Sequence, residues 1–103
     1  MQLLTKKIES QLRANHKANA DGEKTFAPIV KLLNQYGVGT WYLSELNPET
    51  NVAFGLCHIF EYELGSVCLD ELSEFKGQFG LGIERDTSFK PRPLADCKFY
   101  EKT

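Results

Sequence analysis

Three consecutive residues, Glu84-Arg85-Asp86, form the densest charged cluster in the chain. On an extended segment alternate side chains point to opposite sides, so Glu84 and Asp86 share one side and Arg85 takes the other. Two carboxylates on one side can bind Mg²⁺ or share a proton, the starting point of a small metal-dependent hydrolase or nuclease. Such a site needs a third acid, which Glu45 or Glu63 could supply. No spacing in the chain fixes a metal geometry. The expectation adopted is therefore structural: Glu84, Arg85 and Asp86 form an ion-pair cluster, with Arg85 meeting Glu63 or Glu45 and pinning the last segment to the sheet. No catalytic residue, metal ligand or cofactor is assigned.

Cys57, Cys68, Cys97, His16 and His58 invite a zinc reading, but zinc ligands come in close pairs such as Cys-x-x-Cys, and this chain has none. Cys57 and His58 are neighbours and would point to opposite faces of a strand. Small buried hydrophobes are the better account of the cysteines. A hairpin centred on Tyr62-Glu63 would set Cys57 opposite Cys68 and make a cross-strand disulfide geometrically conceivable, against which a reducing cytosol argues. His58 lies in an apolar row with Phe54, Leu56 and Phe60, with no nucleophile pattern beside it. Gly77, Gly80 and Gly82 lack the Lys-Ser/Thr ending of a phosphate loop and read as turn glycines.

The elements that must position these groups follow from capping and periodicity. Thr5 can cap a helix running to about Ala18, with Ile8, Leu12 and His16 along one face. Pro28 opens an extended run, Ile29 to Tyr36. A Gly37-Val38-Gly39 turn leads to a second strand, Thr40 to Leu46, rich in β-branched and aromatic residues. Asn47-Pro48 starts a turn. A third strand spans Val52 to Phe60, with Ala53, Gly55, Cys57 and Ile59 on the face opposite the His58 row. Glu61 to Leu64 turns the chain into a short fourth strand, Gly65 to Leu69. A short helix begins near Asp70, with acids where the helix dipole favours them. Ile83 to Phe89 is a last strand or extended segment. Consecutive strands joined by short turns are antiparallel. The expected architecture is α+β: a mainly antiparallel sheet of four to five strands, an N-terminal helix and a second short helix, in one domain over residues 1–103 with 95–103 as a loose tail.

Composition sets the outer bounds. The chain has 103 residues, 42% apolar and 25% charged, which suits one globular domain with a modest core. No run reaches the length of a membrane span, and the start lacks the apolar stretch of a secretion signal, so a cytoplasmic location is expected. The net charge is −2, but its layout is uneven. Residues 1–31 carry six Lys or Arg against three acids, and residues 76–103 carry six against four. Residues 32–75 carry seven acids and no Lys or Arg. Direct nucleic-acid binding is disfavoured, since a phosphate-tracking surface needs clustered positive charge.

Seven blocks carry a family resemblance: Leu3 to Thr5 (LLT), Pro28 to Leu32 (PIVKL), Thr40 to Thr50 (TWYLSELNPET), Ala53 to Cys57 (AFGLC), Glu63 to Leu72 (ELGSVCLDEL), Phe79 to Asp86 (FGLGIERD) and Phe89 to Pro91 (FKP). In this order they resemble DUF2958, a domain-of-unknown-function family of small proteins often encoded on conjugative plasmids and integrative elements. Gly82 stands where the family pattern leads one to expect proline, which loosens the turn that aims Glu84. The resemblance implies no activity. It implies a mobile-element context, where genes that evade restriction and CRISPR defence commonly sit.

Two expectations follow. One is a non-catalytic binding protein, an anti-defence factor that docks an acidic, aromatic-studded surface on a basic site of a host nuclease or CRISPR effector. Its contact residues would be Glu61, Tyr62, Glu63, Asp70, Glu71 and Glu74, with Tyr36 and Phe79 as further aromatic anchors. The other is the metal-dependent enzyme acting through Glu84, Asp86 and a third carboxylate.

Overall fold

A computed structural model describes residues 3–23, 26–35, 37–75 and 82–93. In chain order it contains α1 (Lys6–Ala18), β1 (Val30–Asn34), β2 (Thr40–Asn47), β3 (Val52–His58), β4 (Tyr62–Cys68), α2 (Leu69–Glu74) and β5 (Ile83–Arg85). The five strands form one antiparallel sheet in the order β4-β3-β2-β1-β5. This is the expected α+β arrangement. The partner of the last strand was not legible in the sequence: β5 lies against β1, pairing Leu32 with Arg85 and Leu33 with Glu84. The expected loose tail, together with Cys97, Gly77, Phe79, Gly80 and Tyr36, lies outside the described residues. No helix among the described residues is long and apolar enough to cross a membrane.

The N-terminal helix forms for the reason its sequence suggests. Thr5 Oγ1 accepts from Ile8 N at 3.1 Å, which satisfies one orphan amide of the first turn. Arg13 donates to Glu9 one turn away. Leu12 is fully buried and Ile8 half-buried, so α1 lays this face on β2. Leu3 and Leu4, just ahead of the cap, are buried in the same cluster.

One face of the sheet holds the main core. Val30 and Leu32 of β1, Trp41, Leu43 and Leu46 of β2, and Ala53 of β3 pack there with Leu12, and α2 adds Leu69 and Leu72. Leu43 and Leu46 are three apart, an odd spacing for one strand face. The register shift between Leu43 and Glu45 resolves it: a β-bulge at Ser44 turns the strand by one residue. The bulge is satisfied from two sides, since Asn15 of α1 donates to Ser44 O at 2.9 Å and Ser44 Oγ donates to Phe54 O at 3.3 Å. Gly55 sits opposite Leu43. A Cβ there would lie 2.0 Å from Tyr42 O and 2.8 Å from Leu43 Cα, so only glycine admits this backbone approach.

The second face carries no helix among the described residues. It has a smaller cluster of Tyr42 and Leu56, with Tyr62 and Phe89 against it. Phe89 meets Tyr42 at 5.7 Å between ring centroids, Lys31 Nζ lies 5.5 Å from the Tyr42 ring, and Arg92 stacks on Phe89 at 5.3 Å. The segment after β5 thus folds across this face.

The β3–β4 hairpin corrects one expectation. Its register pairs His58 with Tyr62 and Cys57 with Glu63, so the turn centres on Phe60 rather than on Tyr62-Glu63. Strand β4 consequently begins at Tyr62, inside the stretch expected to turn. Cys68 pairs with Val52, and Cys57 and Cys68 are free thiols. No turn-forming Gly, Asn or Pro marks Ile59-Phe60-Glu61, which is why the register could not be placed from sequence.

Candidate functional site

The acidic residues of the middle segment fall into two groups at the ends of β4. Glu61 and Glu63 stand at the hairpin end and are exposed; Asp70, Glu71 and Glu74 stand on α2 and are also exposed. At about 3.3 Å per residue, the length of β4 separates the two groups by roughly 20 Å. They flank one edge strand and do not merge into a single cluster. Among the described residues, no Lys or Arg forms an ion pair with any of the five. Asp70 accepts from Asn51 Nδ2 at 2.9 Å, and Lys6 lines the same cleft as Asp70. The hairpin end is therefore the less neutralised of the two groups.

The hairpin end also carries apolar surface. Phe60 is 90% exposed, and Ile59 and Leu64 are about half exposed. Beside them a groove of about 410 Å³ runs along β4, with Trp41, Cys57, Glu61, Glu63, Gly65 and Val67 among its walls. The groove exists because Gly65 has no side chain and no neighbour fills the space: a Cβ there would meet nothing within 4 Å. Burial pushes the Cys57 thiol above its ordinary pKa, and the Glu63 carboxylate opposite adds to this. Cys57 is a protonated, poorly nucleophilic wall of the groove at neutral pH.

Of the aromatic residues expected at an interface, Tyr62 is half-buried and stacks on His58 with ring centroids 4.0 Å apart. It braces the hairpin from within. Phe60, placed by the sequence reading at the end of an apolar strand row, is instead the exposed aromatic residue of the hairpin tip. The signal was present as an apolar residue directly followed by Glu61, but the hairpin register was needed to use it.

The Glu84-Arg85-Asp86 cluster lies on the far margin of the sheet. Leu32 faces Arg85 and Leu33 faces Glu84, which puts Arg85 on the helix side and Glu84 and Asp86 on the other, as the strand alternation requires. The ties differ from those expected. Arg85 Nη1 donates to Leu3 O at 2.7 Å, so it binds β5 to the N-terminal segment. Three strands separate Glu63 on β4 from β5, and Glu45 accepts from Asn19 Nδ2 at 2.9 Å with His16 Nδ1 at 3.9 Å. The Gln35 amide, turned to donate, meets the Glu84 carboxylate at 2.7 Å. Asp86 pairs with Lys31 Nζ at 3.8 Å and accepts from Ser88 N and Oγ at 2.9 and 2.6 Å. Burial raises the Asp86 pKa, but the two Ser88 bonds and the Lys31 charge outweigh it and hold the carboxyl below its usual value. Among the described residues no three His, Cys, Asp or Glu side chains gather at metal-holding distance.

Neither a curated protein nor a solved structure matches the chain. A family model described as "Protein of unknown function (DUF2958)" matches residues 3–98, and the chain accordingly belongs to the DUF2958 family.

Proposed function

We propose that this chain is a non-catalytic binding protein that docks the hairpin end of β4 on a basic protein surface. The observation that carries the reading is the exposed Phe60 at the hairpin tip beside Glu61 and Glu63, which form no ion pair with any described Lys or Arg. An apolar anchor ringed by charge of one sign is the usual make-up of an interface centre with a selective rim. Glu71 and Glu74 on α2 extend the acidic margin. The partner class is a protein with a basic site, such as a host nuclease or CRISPR effector; the mobile-element setting suggested by the family resemblance motivates that choice.

The test is an affinity pull-down from host extract, repeated at high salt. Charge reversal of Glu61, Glu63, Asp70, Glu71 and Glu74 should abolish capture, and high salt should weaken it, because screening cuts attraction between exposed charges. Capture of the same partner by the reversed variant, its fold confirmed by circular dichroism, would end the reading.

A further inference from the structure

The backbone of β4 carries the reading further. In an antiparallel ladder, residues whose N–H and C=O face the neighbouring strand alternate with residues whose groups face away. Leu69 N donates to Asn51 O at 3.1 Å, one step beyond the pair of Val52 with Cys68. By alternation, Ala53–Val67, Gly55–Gly65 and Cys57–Glu63 exchange the β3–β4 hydrogen bonds. The far side of the sheet gives the same parity: Asn34 N donates to Gly39 O and Asp86 N to Lys31 O, and the registers carry that phase across to β3. Leu64 and Ser66 therefore turn their N–H and C=O groups outward, and both residues are exposed. Among the described residues, no backbone group bonds to either from beyond the sheet.

We propose that β4 accepts an extended segment of its protein partner as a sixth strand, with a basic residue beside Glu63 and a large apolar residue over Gly65. This rests on the acidic-margin reading above and adds the mode of binding. Strand addition supplies affinity through backbone bonds, and side-chain pockets supply choice. Gly65 and the groove beside it offer the apolar pocket. Glu63 and Gly65, two apart, share the groove side of β4. A second copy is the competing occupant. Paired antiparallel about Gly65, it would set Glu63 of each chain opposite Val67 and Glu61 opposite Leu69 of the other, so that Glu61 lies next to Asp70 and like charges crowd both ends of the pair with no base to offset them. A basic strand meets complementary charge at those positions.

The probe is the blocked peptide Arg-Thr-Lys-Thr-Ile-Thr-Lys-Thr-Arg, whose palindromic order presents Lys and Ile on one face in either strand direction. Its control is the same peptide N-methylated at every peptide bond, which keeps the side chains and loses the backbone donors. Amide hydrogen exchange on the full chain should slow by about tenfold or more at Leu64 and Ser66 with the first peptide and not with the second. Ser66→Pro removes an outward N–H that the ladder does not use, a substitution an edge strand tolerates. It should keep the circular dichroism spectrum and weaken peptide binding at least tenfold. Equal binding of both peptides, by the native chain and by Ser66→Pro, would overturn strand addition and leave the acidic-margin reading standing. Absence of binding at millimolar peptide would overturn it too, while the charge-reversal pull-down judges the other reading separately. A dimer that Ser66→Pro dissociates would replace the proposed occupant by a second copy. Should Ser66→Pro fail to fold, the two peptides on the native chain decide alone.

Discussion

At the β5 margin of the sheet, the side chains of Glu84, Arg85 and Asp86 are drawn into the fold. Asp86 meets Lys31 and Ser88, Arg85 reaches the Leu3 carbonyl, and Phe89 closes over Tyr42 with Arg92 upon it. The strand there is only three residues long. At the β4 margin, no other strand among the described residues pairs with the outer edge of a seven-residue strand, and Phe60 and Leu64 are exposed there with Glu61 and Glu63 beside them. Both margins carry acids and aromatics: Glu84, Asp86 and Phe89 at one, Glu61, Glu63, Phe60 and Tyr62 at the other. What differs is whether bases lie within reach. Arg85, Arg92 and Lys31 stand at the β5 side, and the segment from 32 to 75 that builds the other side contains no Lys or Arg. Short edges and edge charges both resist unwanted strand pairing.

The most severe way to break this comparison is to break the sheet that separates the margins. Gly55→Val places a branched side chain 2.0 Å from the Tyr42 carbonyl, and backbone on both sides cannot yield. The expected loss is about 3 kcal/mol or more, read as a lowered denaturant midpoint. Next in size is the same truncation made at each margin. Phe89→Ala removes the cover of Tyr42 and should cost about 1–2 kcal/mol, whereas Phe60→Ala, at 90% exposure, should change stability by less than about 0.5 kcal/mol. In the pull-down the order reverses: Phe60→Ala should lose most of the partner and Phe89→Ala little of it. Equal stability losses at the two sites would mean that the margins are not distinguished by function.

Asp86→Asn follows. Its bonds to Ser88 and its ion pair with Lys31 stabilise only the charged form, and about 1 kcal/mol should be lost at pH 7. The folded carboxyl sits below its ordinary value. Its contribution is therefore complete above the unfolded pKa near 4 and disappears as pH falls through the lower folded value. Denaturation of the native chain and the variant should thus differ at pH 7 and converge at strongly acidic pH. A difference that persists undiminished under acid would show that the carboxylate charge is not what holds this margin.

How much of this was legible beforehand depended on which physical signal each part used. The helix, its Thr5 cap and the order of elements follow from local patterns, and those patterns are strong here. Strand β5 carried no local signal for its partner, because Ile83-Glu84-Arg85 is too short to show periodicity, and its place beside β1 is set by tertiary packing. The site failed at one step. Its acids were readable from charge layout alone, but Phe60 needed the hairpin register, and Ile59-Phe60-Glu61 has none of the turn residues that would fix it. A shift of the hairpin centre moved Cys57 from opposite Cys68 to opposite Glu63 and moved Phe60 from a strand face to the tip.

The same register yields the smallest and most local prediction. Cys57 is held protonated by burial first and by the charge of Glu63 second. Glu63→Gln removes only the second cause, so the thiol pKa should fall toward its ordinary value without reaching it. Global stability should stay within about 0.5 kcal/mol, since Glu63 is exposed and unpaired among the described residues. Thiol titration with a small disulfide reagent, run against Cys68→Ser and Cys97→Ser backgrounds to isolate Cys57, should show faster reaction at pH 8 in the Gln variant. The chemistry is a ruler for the edge: a thiolate can sense Glu63 only if the two face each other across β3 and β4. An unchanged thiol pKa would return the hairpin to the register in which Cys57 faces Cys68, and with it would fall the outward orientation of Leu64 and Ser66 on which strand addition depends.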